Sequence, residues 1–377
     1  MDTIEEFRID IPQAELDGLQ DRLARTRWPD QVPEAGWDYG ISLADVRELA
    51  AYWGTGYDWR RHERRLNGFP QFSTEIDGQR VHFLHVRSPQ PDALPLIMTH
   101  GWPGSVVEFM EVIGPLTDPG AYGGDPQDAF HLVIPSIPGY GFSGPTRERG
   151  WNVTRVALAW DELMRRLGYP RYGAQGGDWG SAISRELGVA IPEHIIGVHL
   201  NMLAPVGNEP PDLDARDRSR IERLRRFRGT GTGYSAIQST RPQTVSYGLT
   251  DSPAGQLAWI AEKFGEWTDG GLTAVDRDQL LTNITIYWLT RTAGSSARLY
   301  YEAAAARAGS RPAPAVSAAP TGVAVFPEEI AAPVRRLAEQ SNNIVHWSEF
   351  DRGGHFAAME EPDLLIGDVR LFFRALR

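Results

Sequence analysis

The residues with the most chemistry in their spacing are Gly176-Gly177-Asp178-Trp179-Gly180. Glycines on both sides of a central residue permit a sharp strand-to-helix turn without Cβ clashes. Such a turn raises the central side chain to the top of a sheet, against a helix N-terminus, which is the G-x-nucleophile-x-G elbow. Asp stands here in the usual serine position. A carboxylate is already charged and needs no base to activate it. It attacks saturated carbon by displacement and forms an alkyl ester, so it needs a substrate carbon that bears a leaving group. Taken alone, the pentapeptide fits an ordinary glycine turn with a capping Asp equally well.

Two further motifs decide between those readings. His100-Gly101-Trp102-Pro103-Gly104-Ser105 follows the apolar run Leu96 to Thr99. A loop at this place, with the residue after the nucleophile, supplies two oxyanion-hole amides, here Trp102 N–H and Trp179 N–H. Arg352-Gly353-Gly354-His355-Phe356 lies between the last strand-like run and the last helix. Of nine histidines, His355 occupies a Gly-flanked loop at a strand end, and the chain order nucleophile, acid, histidine makes it the base. The acid should follow a strand between them. Val323 to Phe326 ends at Pro327-Glu328-Glu329, and neighbouring side chains diverge, so one glutamate of the two orients the imidazole. Asp351 is a weaker alternative. The His–acid pair then serves a second step, deprotonating a water that attacks the Asp178 ester carbonyl. The leaving group is a halide or the oxygen of a strained epoxide. An epoxide oxygen leaves as a poor alkoxide and calls for a proton donor, for which Tyr234, Tyr247, Tyr287, Tyr300 and Tyr301 are the candidates.

The elements that must position these groups alternate. Strand-like runs at Leu96–Thr99, Phe130–Ile134, Tyr172–Gln175 and Ile195–Leu200 are separated by helical stretches at Val106–Ile113, Thr154–Leu167 and Ser181–Val189. This predicts right-handed crossovers and a mostly parallel α/β sheet with helices on both faces. The alternation lapses from about Ala204 to Pro320, where Asp251-Ser252-Pro253 caps one helix and Asp276–Arg291 and Ser295–Ala306 read as two more. Ser310 to Pro320 reads as a loop. Strand-like runs return at Val323–Phe326 and Ile344–Trp347. A helical insertion over the C-terminal edge of a parallel sheet covers the usual ligand crevice and can act as a lid. Before the sheet, Pro12–Arg25 has helical spacing, Ser42 and Asp45 open a second helix, and Asp77-Gly78 joins a hairpin. The organisation read from these patterns is an N-terminal extension over 1–90, core over 91–205, a helical cap over 206–320 and core over 321–377.

Composition narrows the function classes. The 377 residues carry a net charge of −11 and no cysteine, which excludes disulfides, thiolate metal sites and a Cys nucleophile. Lys263 is the only lysine, and the Arg-rich stretch Arg216–Arg228 is interrupted by acids, so it reads as a salt-bridged helix rather than a nucleic-acid arm. No apolar run approaches the ~20 residues of a membrane helix. The acidic N-terminus lacks an apolar signal core, and a soluble cytoplasmic protein is expected. No metal and no cofactor is expected.

Together the motifs resemble those of the microsomal-type epoxide hydrolases over essentially the whole chain. Thr26-Arg27-Trp28-Pro29, Gly36-Trp37-Asp38-Tyr39-Gly40 and Asp251-Ser252-Pro253 are similar as well. The resemblance implies an α/β-hydrolase fold with inserted cap and wrapping extension, which Trp28 and Trp37 would anchor. It implies Asp178 as nucleophile, His355 as base and, from Phe326-Pro327-Glu328-Glu329, Glu329 as acid. It implies Tyr234, from Gly233-Tyr234-Ser235-Ala236-Ile237-Gln238, and Tyr300, from Ser295-Ser296-Ala297-Arg298-Leu299-Tyr300, as ring-opening donors. The expected reaction is epoxide to vicinal diol through an Asp178 ester, on an apolar or aryl-bearing epoxide in a pocket lined by the rings of Trp102 and Trp179. Mammalian members carry an N-terminal membrane anchor, from which this chain departs. An exposed cap edge would suit a homodimer. The rival readings are a haloalkane or haloacid dehalogenase on the same scaffold and a non-catalytic hydrolase-like binding protein.

Overall fold

In chain order the strands are β1 (Glu5–Glu6), β2 (Gln71–Ile76), β3 (Gln79–Val86), β4 (Leu94–Thr99), β5 (Phe130–Pro135), β6 (Tyr172–Gly176), β7 (Ile195–Leu200), β8 (Ser317–Val325) and β9 (Asn342–Glu349). The computed structural model describes residues 3–204, 207–308 and 315–377. Among these residues the strands form one sheet in the order β1-β2-β3-β5-β4-β6-β7-β8-β9. The run from β5 to β9 is parallel, and β1, β2 and β3 add antiparallel. The β2–β3 link needs only Asp77-Gly78, both with positive φ (51° and 72°), as a two-residue type I′ hairpin requires.

Residue alternation divides the sheet between two cores. Ile97, Val133, Ala174 and Val198 face a cluster that includes Trp160, Leu163 and Leu187. Leu96, Leu132 and Ile134 face the opposite cluster with Val369, Phe372 and Phe373. Helices of eight residues or more are α1 (Gln13–Ala24), α2 (Leu43–Thr55), α3 (Trp59–Leu66), α4 (Val153–Arg166), α5 (Asp178–Ala190), α6 (Ala215–Thr230), α7 (Gly233–Thr240), α8 (Pro242–Asp251), α9 (Pro253–Trp267), α10 (Arg277–Thr290), α11 (Arg298–Ala308) and α12 (Pro362–Arg374). Helices α4 and α5 cover one face and α12 the other; α6 to α11 form the cap between β7 and β8. The extension grips the cap. Trp53 Nε1 donates to Thr285 Oγ1 at 2.9 Å and the Tyr52 hydroxyl to Asp278 at 2.7 Å. Trp37 donates to Asp45 at 2.8 Å and lies so close to α9 that a Cβ at Gly265 would meet its ring at 2.3 Å. Trp28 instead lies under Arg47 of α2, with the guanidinium 5.3 Å from the ring centre.

Several local expectations shift. The β2–β3 hairpin, read within the 1–90 extension, continues the central sheet through β3–β5 pairing. The stretch Val106–Ile113 is not one helix: a 3-10 turn over Val106–Phe109 precedes a short helix over Ile113–Thr117. Two β-branched valines and Pro115 disfavour a continuous helix there. Ser295–Ala306 is broken at Ala297. The expected loop Ser310–Pro320 lies partly outside the described residues, and β8 begins at Ser317 rather than Val323. Its first turn of low-propensity residues, ending in Pro320, pairs with β9 only through a register shift. The Arg-rich helix α6 is salt-bridged as expected, with Arg220 to Glu349 at 3.1 Å and Arg225 to Glu209 at 2.7 Å. No helix among the described residues is long and apolar enough to cross a membrane.

Candidate active site

The turn from β6 into α5 presents Asp178 with φ +49°. This left-handed conformation is rarely adopted by a non-glycine residue and marks local strain at the elbow. Its neighbours have no room for side chains: a Cβ at Gly180 would fall 1.8 Å from the Thr99 carbonyl oxygen. The loop after β4 meets the elbow. Trp102 N–H donates to Asp178 Oδ1 at 2.8 Å, and a Cβ at Gly101 would strike the same carboxylate at 2.3 Å. Trp179 is the second residue of α5, where amides have no intrahelical partner. Helix α10 holds the loop from above: Asn283 Nδ2 donates to the Pro103 carbonyl and the Tyr287 hydroxyl to the Gly104 carbonyl, both at 2.7 Å. His100 is structural. Its Nε2 accepts from Ile137 N–H at 3.3 Å, and burial pushes its pKa down to about 4.

The loop after β9 brings His355 to the other Asp178 oxygen, with Nε2 3.5 Å from Oδ2. On its far side, Nδ1 lies 2.9 Å from Glu329 Oε1. The side chains of His355 and Glu329 are 2% and 0% exposed. Burial opposes a charge on the imidazole, but the Glu329 and Asp178 carboxylates prevail and hold its pKa well above the ordinary histidine range. The two glutamates diverge as expected: Glu328 turns outward to Arg223 at 3.2 Å, and Asp351 is exposed.

A cavity of about 890 Å³ opens above Asp178, lined by Trp179, Leu203, Phe227, Tyr234 and Tyr300 among others. The two tyrosine rings lie 6.0 Å apart, nearly perpendicular. Burial, with Asp178 nearby, raises the pKa of both hydroxyls, so both remain protonated donors. The remaining cap tyrosines are elsewhere: Tyr247 and Tyr301 are exposed, and Tyr287 is occupied by Gly104. Trp179 lines the cavity, but the Trp102 ring does not. It is 1% exposed and stacks against Tyr234 at 5.0 Å.

Two residues escaped the motif reading. Glu108 folds back against the oxyanion loop, where a Cβ at Gly104 would overlap its Oε1. Burial pushes its pKa up to about 8, opposed by the charge of His355. Its signal in the sequence is a lone acid within Val106-Val107-Glu108-Phe109-Met110. Trp267 packs edge-on to His355 at 5.0 Å and accepts the His355 N–H at its carbonyl at 2.9 Å. Nothing in the local sequence distinguished it from a core tryptophan.

An Asp at the elbow, a buried His–Glu pair against it and a helical cap over a parallel sheet define a hydrolase of the α/β-hydrolase fold. Residues 95–230 match the family described as alpha/beta hydrolase fold, and residues 4–109 match epoxide hydrolase N terminus. The chain is 47% identical over 377 residues to a provisionally named epoxide hydrolase of Stigmatella aurantiaca (strain DW4/3-1), covering 98% of this chain and 85% of that one. It is 36% identical over 406 residues to epoxide hydrolase 1 of Sus scrofa, covering 100% and 89%. The solved structure of Aspergillus niger epoxide hydrolase matches with a TM-score of 0.89 at 33% identity, covering 100% and 97%. That of juvenile hormone epoxide hydrolase from the silkworm Bombyx mori matches at 0.91 and 31%, covering 100% and 95%. The chain belongs to the epoxide hydrolase family, and its reaction is the hydrolysis of epoxides.

Proposed function

We propose that this enzyme hydrolyses a neutral, apolar or aryl-bearing epoxide through a covalent ester on Asp178. The arrangement that carries the reading is Asp178 itself: one oxygen accepts from Trp102 N–H and the other faces His355 Nε2. Oδ2, the oxygen outside the Trp102 hydrogen bond, attacks an epoxide carbon. The C–O bond breaks, and Tyr234 or Tyr300 gives a proton to the departing oxygen. Both tyrosines line the cavity above the nucleophile.

Ester formation removes the Asp178 charge. The support that Asp178 gave to a protonated His355 goes with it, so the imidazole releases its proton to solvent, to regain it when Asp178 reionises, and becomes a base when one is needed. It takes a proton from a water that attacks the ester carbonyl carbon, with Glu329 stabilising the imidazolium. The oxyanion accepts from Trp102 N–H and Trp179 N–H. Collapse breaks the acyl C–O bond, and the diol oxygen takes the proton held by His355. The second water proton, released as Asp178 reionises, restores the tyrosine. The diol therefore carries an oxygen that belonged to Asp178. A single turnover in water enriched in oxygen-18 tests this: the first diol should be unlabelled and Asp178 labelled. A labelled first diol with unlabelled protein refutes the ester.

A further inference from the structure

Lys263 is the only lysine in a chain with 38 basic residues. Charged side chains are rarely buried unless paired, yet Lys263 is 3% exposed. It lies on α9, one turn before Trp267, and its ammonium is held by Glu262 and by Glu266 at 3.0 Å. Glu262 is also the carboxylate that meets the extension at Ile41 N–H, at 3.4 Å. The fourth side of the ammonium is aromatic. Nζ lies 4.9 Å from the ring centre of Tyr234 and 5.6 Å from that of Trp267.

We propose that Lys263 is a positioning residue for ring opening, its ammonium on the face of Tyr234 stabilising the negative charge that grows on that phenol as it protonates the epoxide oxygen. This rests on the reading of Tyr234 as a proton donor. A cation on an aromatic face interacts with the ring's electron density, more strongly when water is excluded. That density increases as the O–H bond weakens, so the interaction is stronger in the transition state than in the ground state and accelerates the step. Asp178, Glu266 and Glu329 all oppose negative charge on the Tyr234 phenol and a hydrogen bond with Tyr300 favours it; Lys263 is the cation placed over the ring itself. An arginine would carry the same charge in a planar fork that spreads it over the carboxylates. A compact ammonium can contact two glutamates and a ring face together.

The test is a double-mutant cycle with stopped-flow tryptophan fluorescence on styrene oxide, separating ester formation from ester hydrolysis. The observed rate constants of the transient, unlike its amplitude, do not depend on any misfolded fraction. Lys263→Met should slow ester formation about tenfold and leave hydrolysis of the ester nearly unchanged. In a Tyr234→Phe background the same substitution should do almost nothing to ester formation. Lys263→Arg, which keeps the charge but spreads it over a planar fork, should recover part of the rate. Lys263→Gln, neutral but able to hydrogen-bond both glutamates, runs the same cycle and guards against a folding failure of the methionine variant. Equal slowing with and without the Tyr234 hydroxyl overturns the proposal, as does equal slowing of both steps or an arginine variant as slow as the methionine one. If Tyr234→Phe alone leaves ester formation unchanged, the donor role of Tyr234 fails first and the proposal falls with it.

Discussion

Replacing Glu329 by Gln removes a charge and almost no volume. Its Oε1 sits 2.9 Å from His355 Nδ1, inside a site where both side chains are almost completely buried. Oε2 has no hydrogen-bond partner among the described residues, so the amide disturbs nothing else. The interaction lost is a hydrogen bond to a charged group, with a net value of about 1.5–3 kcal/mol. That interaction is fullest when His355 has taken the proton of the attacking water, so the loss falls on ester hydrolysis. At about 1.4 kcal/mol per factor of ten, hydrolysis should slow by about ten- to a hundredfold. Ester formation needs Asp178 and the tyrosines and should change little. Stopped-flow fluorescence should therefore show a larger burst and a slower steady state, and intact mass should show substrate bound to protein during turnover. With one carboxylate gone, the imidazole also loses its proton more readily, so the acid limb of the hydrolysis profile should move to lower pH. Glu328→Gln, which removes only the exposed partner of Arg223, should leave both steps intact. If Glu328→Gln slows hydrolysis more than Glu329→Gln, the acid is misassigned and the reasoning from burial is wrong.

His355→Gln should stop hydrolysis entirely and leave the alkyl-enzyme as a stable mass adduct on Asp178; an unmodified protein after incubation with styrene oxide contradicts this. Tyr234→Phe with Tyr300→Phe should abolish ester formation, whereas each single variant should retain part of it, because both hydroxyls reach the same space. Rapid-quench mass measurement distinguishes these cases. Glu108→Gln should change how stability responds to pH. The wild-type carboxyl keeps its proton up to about pH 8 when folded, against the ordinary glutamate value of 4.5 in the unfolded chain. Its contribution is therefore complete below pH 4.5 and is lost as pH rises towards 8. The thermal midpoint of the variant should gain on wild type across that window; a constant difference from pH 5 to 8.5 refutes the assignment.

What could be read in the sequence was what short-range sterics and strand chemistry dictate. Gly176 and Gly180 announce the elbow because no Cβ fits there, and the buried strands β4, β5 and β7 are mainly apolar, with β6 the weaker signal. The His355 loop was legible through its glycines and its place after a strand. The choice between Glu328 and Glu329 was not, because adjacent residues share every local property and differ only in which way the chain turns after β8. The same limit hid Trp267, whose contacts with His355 cross more than eighty residues of chain, and Glu108, whose protonation is set by a burial that residue type does not show. Trp102 shows the opposite error. Its amide was placed by the motif, but its ring was assigned to the pocket wall by residue type, and only packing against Tyr234 reveals it as the layer behind.

The cap is more closely tied to the chemistry than a lid over a finished site. The His355 loop is held by α9 and the turn after it: His355 N–H on the Trp267 carbonyl, Gly353 N–H on Asp269 at 2.9 Å, and Phe356 stacked on Phe264 at 3.9 Å. Asp269 N–H in turn donates to Glu360 at 2.7 Å. The extension secures α9 from the other side through Trp37 and Ile41. Lifting the cap as a body would break each of these bonds and leave His355 unsupported. The cavity needs no such movement, because it already reaches exposed residues such as Arg228 and Arg307 between α5, α6 and α11. Substrate therefore has a route to Asp178 that leaves the histidine in place. Extension, cap and the His355 loop are thus joined by direct contacts, which fits the proposed second step, in which His355 must stay within reach of the ester.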